Sequence, residues 1–296
     1  MWLFFALLTP FFWSIVHVMD AHCVEDIFDK PWMGAITGSI ASLIILVPLP
    51  IILPLIQWEM PSHKIVILAI LAGCLIQVSQ ALYFQALAYS ESGIVAAYWN
   101  MTPAMLPIAS FFVANTVFET SKYLGISILI LASVGMCLID SQLQTRWRSF
   151  FLMLSASALQ VIFFLVEDYI FNYIPFLMGY FLITIGLIIA GIIPLLIPKV
   201  NAVFRKNAPA LSQAAKIFLS IEIINLCALF TTQKAVSLGI PSLVAAVEST
   251  IPAYTFLLSI VLLKFFPVVG DKRAYEHLVS KLHLVTLMII GVYFVA

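Results

Sequence analysis

Two short stretches decide the fold of this sequence, because the second repeats the framework of the first. Residues 95–103 read Val-Ala-Ala-Tyr-Trp-Asn-Met-Thr-Pro, and residues 244–252 read Val-Ala-Ala-Val-Glu-Ser-Thr-Ile-Pro. The copies start 149 positions apart, and each follows a small-residue turn that contains Gly93 or Gly239. They share the Val-Ala-Ala start and the final proline, but the five residues between differ. We interpret this pattern as a duplicated scaffold that holds one asymmetric polar site.

The composition indicates an integral membrane protein. Of the 296 residues, 63% are hydrophobic and only 9% are charged, too few charges to cover a water-soluble fold. The net charge of zero gives no reason to expect a nucleic-acid partner. The N-terminus has no basic region and no cleavage site, so we predict a retained first helix. The four cysteines lack metal-site spacing, so no metal or other cofactor is predicted.

Ten apolar segments are long enough to cross a bilayer as helices. A helix rises about 1.5 Å per residue, so about 20 residues span the hydrocarbon core. The runs are unbroken and far longer than the strands of a membrane barrel, which favours helices throughout. The segments cover roughly residues 2–19, 32–56, 65–89, 94–118, 122–140, 149–170, 175–198, 217–238, 240–264 and 278–296.

The two halves of the chain, residues 1–148 and 149–296, match each other in order. Besides the opening motif, residues 18–20 resemble 166–168, residues 33–34 resemble 178–179, Pro50 and Pro54 match Pro194 and Pro198, and Gly135 corresponds to Gly291. Such ordered matches indicate an internal duplication. Each half has five helices, an odd number, so the second half must cross the membrane upside down. We therefore predict an all-α integral membrane fold of ten transmembrane helices in two inverted five-helix repeats, an arrangement typical of secondary transporters.

These features resemble the EamA-type branch of the drug/metabolite transporter superfamily. Residues 86–90 read Ala-Leu-Ala-Tyr-Ser, followed by Pro103 and Glu119, where the family has Ala-Leu-x-Tyr-(Thr/Ser), a proline and Gly-Glu. The chain departs from this pattern at Phe118 and at residues 264–266. The resemblance implies a multi-pass metabolite carrier of the cytoplasmic membrane, often an exporter. It also implies a cavity lined by helices 1, 3, 4, 6, 8 and 9.

Two ionisable residues lie deep in the apolar segments. Glu248 is about 12 Å into the ninth segment and Lys234 about 8 Å from the end of the eighth, which is close enough for an ion pair or a water-bridged pair. Glu248 could bind a cationic substrate group or a coupling proton. Alternatively, the pair could simply lock the two helices together. Glu222 lies near the other end of the eighth segment, where an interfacial role beside Lys216 is the favoured interpretation.

Aromatic and amide side chains complete the predicted substrate site. Tryptophan and tyrosine offer flat contact surfaces and a hydrogen-bond donor, and their ring faces bind cations; an interfacial belt or helix packing is the alternative role. His17 is a packed polar group or a proton relay. The candidate substrate-binding residues are Trp13, Gln80, Tyr83, Tyr98, Trp99, Asn100, Lys234, Glu248 and Tyr254.

Pro103 and Pro252 are predicted hinges, because they occupy matching places in the two halves. A proline inside a helix frees a backbone carbonyl and weakens the helix locally. A static kink is the alternative interpretation.

The distribution of basic residues bears on orientation. Loops after odd-numbered segments hold eleven of them and loops after even-numbered segments only Lys64 and Lys122. Basic loops face the cytoplasm, so this bias places both termini outside. The family resemblance implies termini in the cytoplasm, and both orientations stay open at this point.

The favoured function is a secondary transporter that moves a small polar or amphipathic metabolite, such as an amino acid or related amine, by alternating access. Proton coupling through Glu248 is a further hypothesis. We predict no enzyme: neither a phosphate-binding loop nor a zinc-protease motif occurs. The alternatives are a non-transporting scaffold and, less favoured, a lipid-modifying enzyme that uses Glu248, His17, Asp20 or residues 167–168. Expected partners are the substrate and the lipid bilayer, with the chain as a monomer or homodimer.

Overall fold

The structure is a computed structural model that describes residues 1–48, 61–90, 92–139, 141, 146–265 and 276–296. Within these ranges all regular structure is helical, as the unbroken apolar runs predict. Thirteen α-helices are described: α1 Trp2–Asp26, α2 Met33–Ala41, α3 His63–Leu87, α4 Ser92–Trp99, α5 Met101–Ala114, α6 Thr120–Leu138, α7 Trp147–Phe171, α8 Phe176–Ile192, α9 Pro198–Gln213, α10 Ala215–Val236, α11 Pro241–Glu248, α12 Ile251–Phe265 and α13 Leu278–Val295.

Among the described residues, eight helical stretches are long and apolar enough to cross a membrane. Helix α2 continues as a 3₁₀ turn over Ser42–Leu46 and is shorter; Pro50 and Pro54 of its predicted segment lie outside the described residues. Large apolar side chains face outward, as Phe112 does with 77% of its surface exposed. Lipid can cover such side chains, whereas water could not.

Two predicted helices are each interrupted, at matching places in the two halves. Asn100 separates α4 from α5, and Ser249 with Thr250 separates α11 from α12. Pro103 and Pro252 follow within the first turn of the second helix, where a missing N–H removes no helical bond. In a continuous helix each proline ring would clash with the carbonyl four residues earlier. The chain therefore ends one helix and starts another, where the sequence predicted single helices.

Two further boundaries differ from the prediction. Helix α1 runs to Asp26, seven residues beyond the predicted end. Asp20 therefore lies inside the helix and does not end it. Helix α9 was missed: it has charged and polar residues on one side, so a search for continuous apolar runs does not detect it.

Long helix pairs organise the bundle. Helix α3 packs along α7 and α8, α1 along α10, and α6 along α13. The backbones of α3 and α8 approach closely, since a Cβ atom at Gly73 or Gly186 would overlap the opposite backbone. Glycine allows such approach between membrane helices, where van der Waals packing drives association.

The two ends of the bundle are defined by the contacts of their loops. At one end, Ile27, Phe28 and Trp32 pack with Phe204 and Leu211 of α9. We call this the basic end, because the loops there carry most of the lysines and arginines. At the opposite end Gly239 lies against Trp2, and Lys122 donates a 2.8 Å hydrogen bond to the backbone carbonyl of Val295.

Candidate functional site

A small cavity lies among α1, α2, α3 and α10, on the side of the basic end. Its volume is ≈ 30 Å³, which is room for about two water molecules. The polar groups that line it are Asp20, Thr37, Gln80, Glu222 and Asn225. We call this site the acidic cavity.

Glu222 is held in one position by its neighbours on α10 and the 3₁₀ turn. Its Oε1 accepts hydrogen bonds from Oγ of Ser42 at 2.6 Å and from Nδ2 of Asn225 at 2.9 Å. A Cβ atom on Gly38 would lie 3.2 Å from Oε2 of Glu222. The absence of a side chain at Gly38 therefore makes room for this oxygen. Both donors are neutral, so they orient the carboxyl group without pairing its charge.

Asp20 brings a second carboxyl group to the same cavity. Its partly buried side chain lines the cavity together with that of Glu222. In the described part of the chain, no lysine or arginine lines the cavity. Buried carboxyl groups are costly in the membrane unless a cation or a proton accompanies them. The chemistry of the cavity therefore suits a cationic ligand.

Four of the predicted residues lie together beside the acidic cavity. Gln80 lines it directly. A hydrogen bond of 3.1 Å joins Nδ1 of His17 to the hydroxyl of Tyr83. Trp13 stacks on His17 with ring centroids 5.8 Å apart, and Trp99 meets Tyr83 edge to face at 5.4 Å. These rings form an aromatic row across α1, α3 and α4, and Tyr83 contacts Phe84 of the cavity wall.

Glu248 is partly buried and belongs to a second group of acids. Its Oε1 accepts a 2.8 Å hydrogen bond from Thr232, and α11, which ends at Glu248, contacts α7, which carries Glu167. Glu167 is fully buried, and neither carboxyl oxygen has a hydrogen-bond partner in the described structure. We call Glu167 and Glu248 the second acid pair. Ten residues of α10 separate Glu222 from Thr232, so this pair lies about 15 Å along the bundle from the acidic cavity.

No direct ion pair joins Lys234 to Glu248 in the described structure. The ammonium group of Lys234 lies 4.6 Å from the ring centroid of Phe176, while Glu248 is bonded to Thr232. Each residue turns a helix by about 100°, so Thr232 and Lys234, two positions apart on α10, point to nearly opposite sides of the helix. Similar depth in the membrane was therefore not enough to bring the charges together.

The other predicted residues lie outside both groups of acids. Tyr98 packs edge to face on Phe150 at 5.5 Å. The amide of Asn100 donates to the carbonyls of Ala96 and Ala97 at 3.4 and 3.3 Å, and so helps to close the end of α4. Tyr254 is half-buried in α12. The positions of Tyr98, Asn100 and Tyr254 favour packing and capping roles.

The acids of the cavity were not among the predicted substrate-binding residues. Asp20 was placed at the end of the first helix and Glu222 near the membrane interface. The available signal was that both acids lie within apolar helices, and such residues usually face the bundle interior.

Comparisons with known proteins agree with the all-helical membrane fold. Residues 1–138 match the sequence model of the EamA-like transporter family, which confirms the resemblance. A solved crystal structure of a protein, 13% identical in sequence, superposes with a TM-score of 0.69 over 100% of this chain and 96% of that one. No curated protein matches the chain. The family match of residues 1–138 and the eight long apolar helical stretches of the described residues indicate a multi-pass membrane protein.

Proposed function

We propose that this chain, whose residues 1–138 belong to the EamA-like transporter family, is a secondary carrier that moves a small amine by alternating access. The observation that carries the proposal is the acidic cavity. It holds Asp20 and Glu222, and no neighbouring cation pairs with them in the described structure. We further propose that the carrier works in the cytoplasmic membrane.

The cavity favours an amine over an amino acid. The ammonium group of an amine would pair with the carboxyl groups, whereas the carboxylate of an amino acid would be repelled by them. Phe28, Phe84 and Phe218 also line the cavity, and aromatic faces attract organic cations. We propose that the cavity widens to admit the substrate.

The pattern of helix contacts supports inverted halves. If residues 1–148 and 149–296 are repeats, α1 is equivalent to α7 and α3 is equivalent to α10. The observed pairs, α1 with α10 and α7 with α3, are then exchanged by a twofold axis. The two helix breaks also lie at equivalent positions. Broken helices at the interface of inverted repeats are typical of carriers that alternate between two openings.

The second acid pair supports proton coupling. A buried carboxyl group without hydrogen-bond partners, such as Glu167, is stable only when a proton or a cation neutralises it. Glu248 is the last residue of α11, so a change at the helix break would move it relative to Glu167 on α7. We propose that Glu248 exchanges a proton as the carrier alternates, with Glu167 as its neighbour.

A scaffold that has kept the carrier fold is the second candidate, because the cavity has room for only about two water molecules. A scaffold would not respond to small cations, so ligand binding separates the two functions.

Thermal stabilisation of the purified protein tests the amine site. Tyramine, its neutral alcohol analogue tyrosol and its acid analogue phloretate differ only in the group that would meet the carboxyl groups. We expect tyramine alone to raise the melting temperature. Glu222→Gln should weaken tyramine binding roughly 30-fold, because losing one partner of a buried charge pair costs about 2 kcal/mol or more. The exposed Glu119→Gln is the matched control. Equal stabilisation by all three compounds, or by none, would contradict the amine site.

A further inference from the structure

Helix α9 is the most basic element in the second half of the described chain. No aspartate or glutamate occurs between Asp168 and Glu222, whereas Lys199, Arg205 and Lys206 lie on or beside α9. All three basic side chains are exposed. The helix therefore presents a positive face with no acidic residue on the helix itself to neutralise it.

The other face of α9 packs in an apolar cluster that includes part of the wall of the acidic cavity. Val203, Phe204 and Leu211 pack in one apolar cluster with residues of α1, α2 and α10. Among these are Val16, Cys23, Phe218 and Ile221, which also line the cavity. Helix α9 thus lies across the basic end of the bundle, against side chains that form the cavity wall.

The residues before α9 place it at the level of the lipid headgroups. Leu196 and Ile197 expose 80% and 53% of their surface, and Lys199 follows within two residues. Exposed leucine and isoleucine beside lysine are stable where acyl chains meet headgroups. A basic amphipathic helix at that depth lies in the plane of the membrane surface.

We propose that α9 is a membrane-surface lid, whose basic face binds anionic lipid headgroups while its apolar face closes the acidic cavity. The occupant of the basic face is the lipid surface, because the positive side chains and the apolar residues beside them match an anionic headgroup layer. Only the closing role rests on the proposed carrier function. The lipid contact stands independently of what the cavity binds.

Hydrogen exchange of the full chain in nanodiscs tests the lipid contact. Each nanodisc holds one copy, in phosphatidylcholine alone or with phosphatidylglycerol added. We expect the amides of residues 201–213 to exchange several-fold more slowly when phosphatidylglycerol is present. Each basic residue near an anionic surface strengthens binding to that surface roughly fivefold. The double variant Arg205→Gln, Lys206→Gln should therefore bind the anionic surface roughly 25-fold more weakly. The amides of its α9 should then exchange at the same rate in both lipids.

The matched control removes two charges from the same end of the bundle but not from α9. Arg146→Gln with Arg148→Gln should keep the lipid-dependent protection. Equal exchange in both lipids for the unaltered chain would overturn the proposal, as would protection restored in phosphatidylcholine by inorganic phosphate. Tyramine stabilisation in the same nanodiscs reports on the carrier function separately. Its absence with lid protection intact would remove the amine site and leave the lipid contact standing.

Discussion

At the scale of single residues, the proposed amine site depends on the position of one carboxylate oxygen. Gly38→Ala would place a methyl group 3.2 Å from Oε2 of Glu222. The hydrogen bonds from Ser42 and Asn225 hold the carboxyl group of Glu222 in place, so it cannot move away from the methyl group without weakening them. Forcing a side chain off its rotamer costs about 0.5–1.5 kcal/mol, so tyramine should bind roughly two- to tenfold more weakly. Isothermal titration measures this change.

Gly135→Ala is the matched control for this prediction. Its added methyl group would also lie 3.2 Å from a side-chain atom, Cδ2 of Leu284, but in the contact between α6 and α13. We expect unchanged tyramine affinity. Equal weakening in both variants would mean that the effect is general destabilisation.

Glu248→Gln tests the coupling proton. The amide side chain can still accept the hydrogen bond from Thr232 but cannot exchange a proton. Transport in proteoliposomes should therefore lose its dependence on an imposed pH gradient, while expression and melting temperature stay near those of the unaltered protein. Glu119→Gln should keep the dependence. A variant at Glu248 that still responds to the gradient would return this residue to a structural role.

Single residues also show what sequence alone can predict about the site. Gln80, Tyr83 and Trp99 could be selected, because aromatic and amide groups within apolar helices are few. Asp20 and Glu222 could not be assigned to one cavity from sequence. Whether their side chains face the same cavity depends on the rotation of α1 about its axis where it packs on α10. The failed pairing of Lys234 with Glu248 has the same cause.

At the scale of elements, the two helix breaks are the features with the clearest functional consequence. The double variant Pro103→Ala, Pro252→Ala removes rings that each disfavour a continuous helix by about 3 kcal/mol. We expect the breaks to close, transport to fall well below the unaltered rate, and tyramine binding to persist. Proteoliposome uptake and isothermal titration measure the two properties.

Pro107→Ala is the control, because Pro107 lies inside α5 and not at a break. Unchanged transport by the double variant would make both prolines static features of the fold, without a hinge role.

Elements were predicted well where a single physical rule governs them. Length and apolar composition predict a helix in each of the ten segments, and the described residues of every segment include a helix. The rule fails for α9, whose membrane contact depends on one face only. It also fails at the breaks, where a local clash between a proline ring and a carbonyl overrides hydrophobicity.

At the scale of the whole molecule, the charge distribution predicts orientation. The basic end, which includes α9, should face the cytoplasm. In a background without native cysteines, Ser62→Cys at the opposite end should react with a membrane-impermeant maleimide on intact cells. Ala202→Cys on α9 should react only after permeabilisation. The reverse pattern would favour the orientation that the family resemblance implies.

The central claim is that the acidic cavity carries an amine across the membrane, and counterflow tests it most directly. Proteoliposomes loaded with unlabelled tyramine are diluted into radiolabelled tyramine, and uptake by protein-free liposomes is subtracted. We expect transient accumulation of label by the unaltered protein and by Glu119→Gln, and no accumulation by Glu222→Gln. No accumulation by the unaltered protein, or equal accumulation by Glu222→Gln, would contradict it.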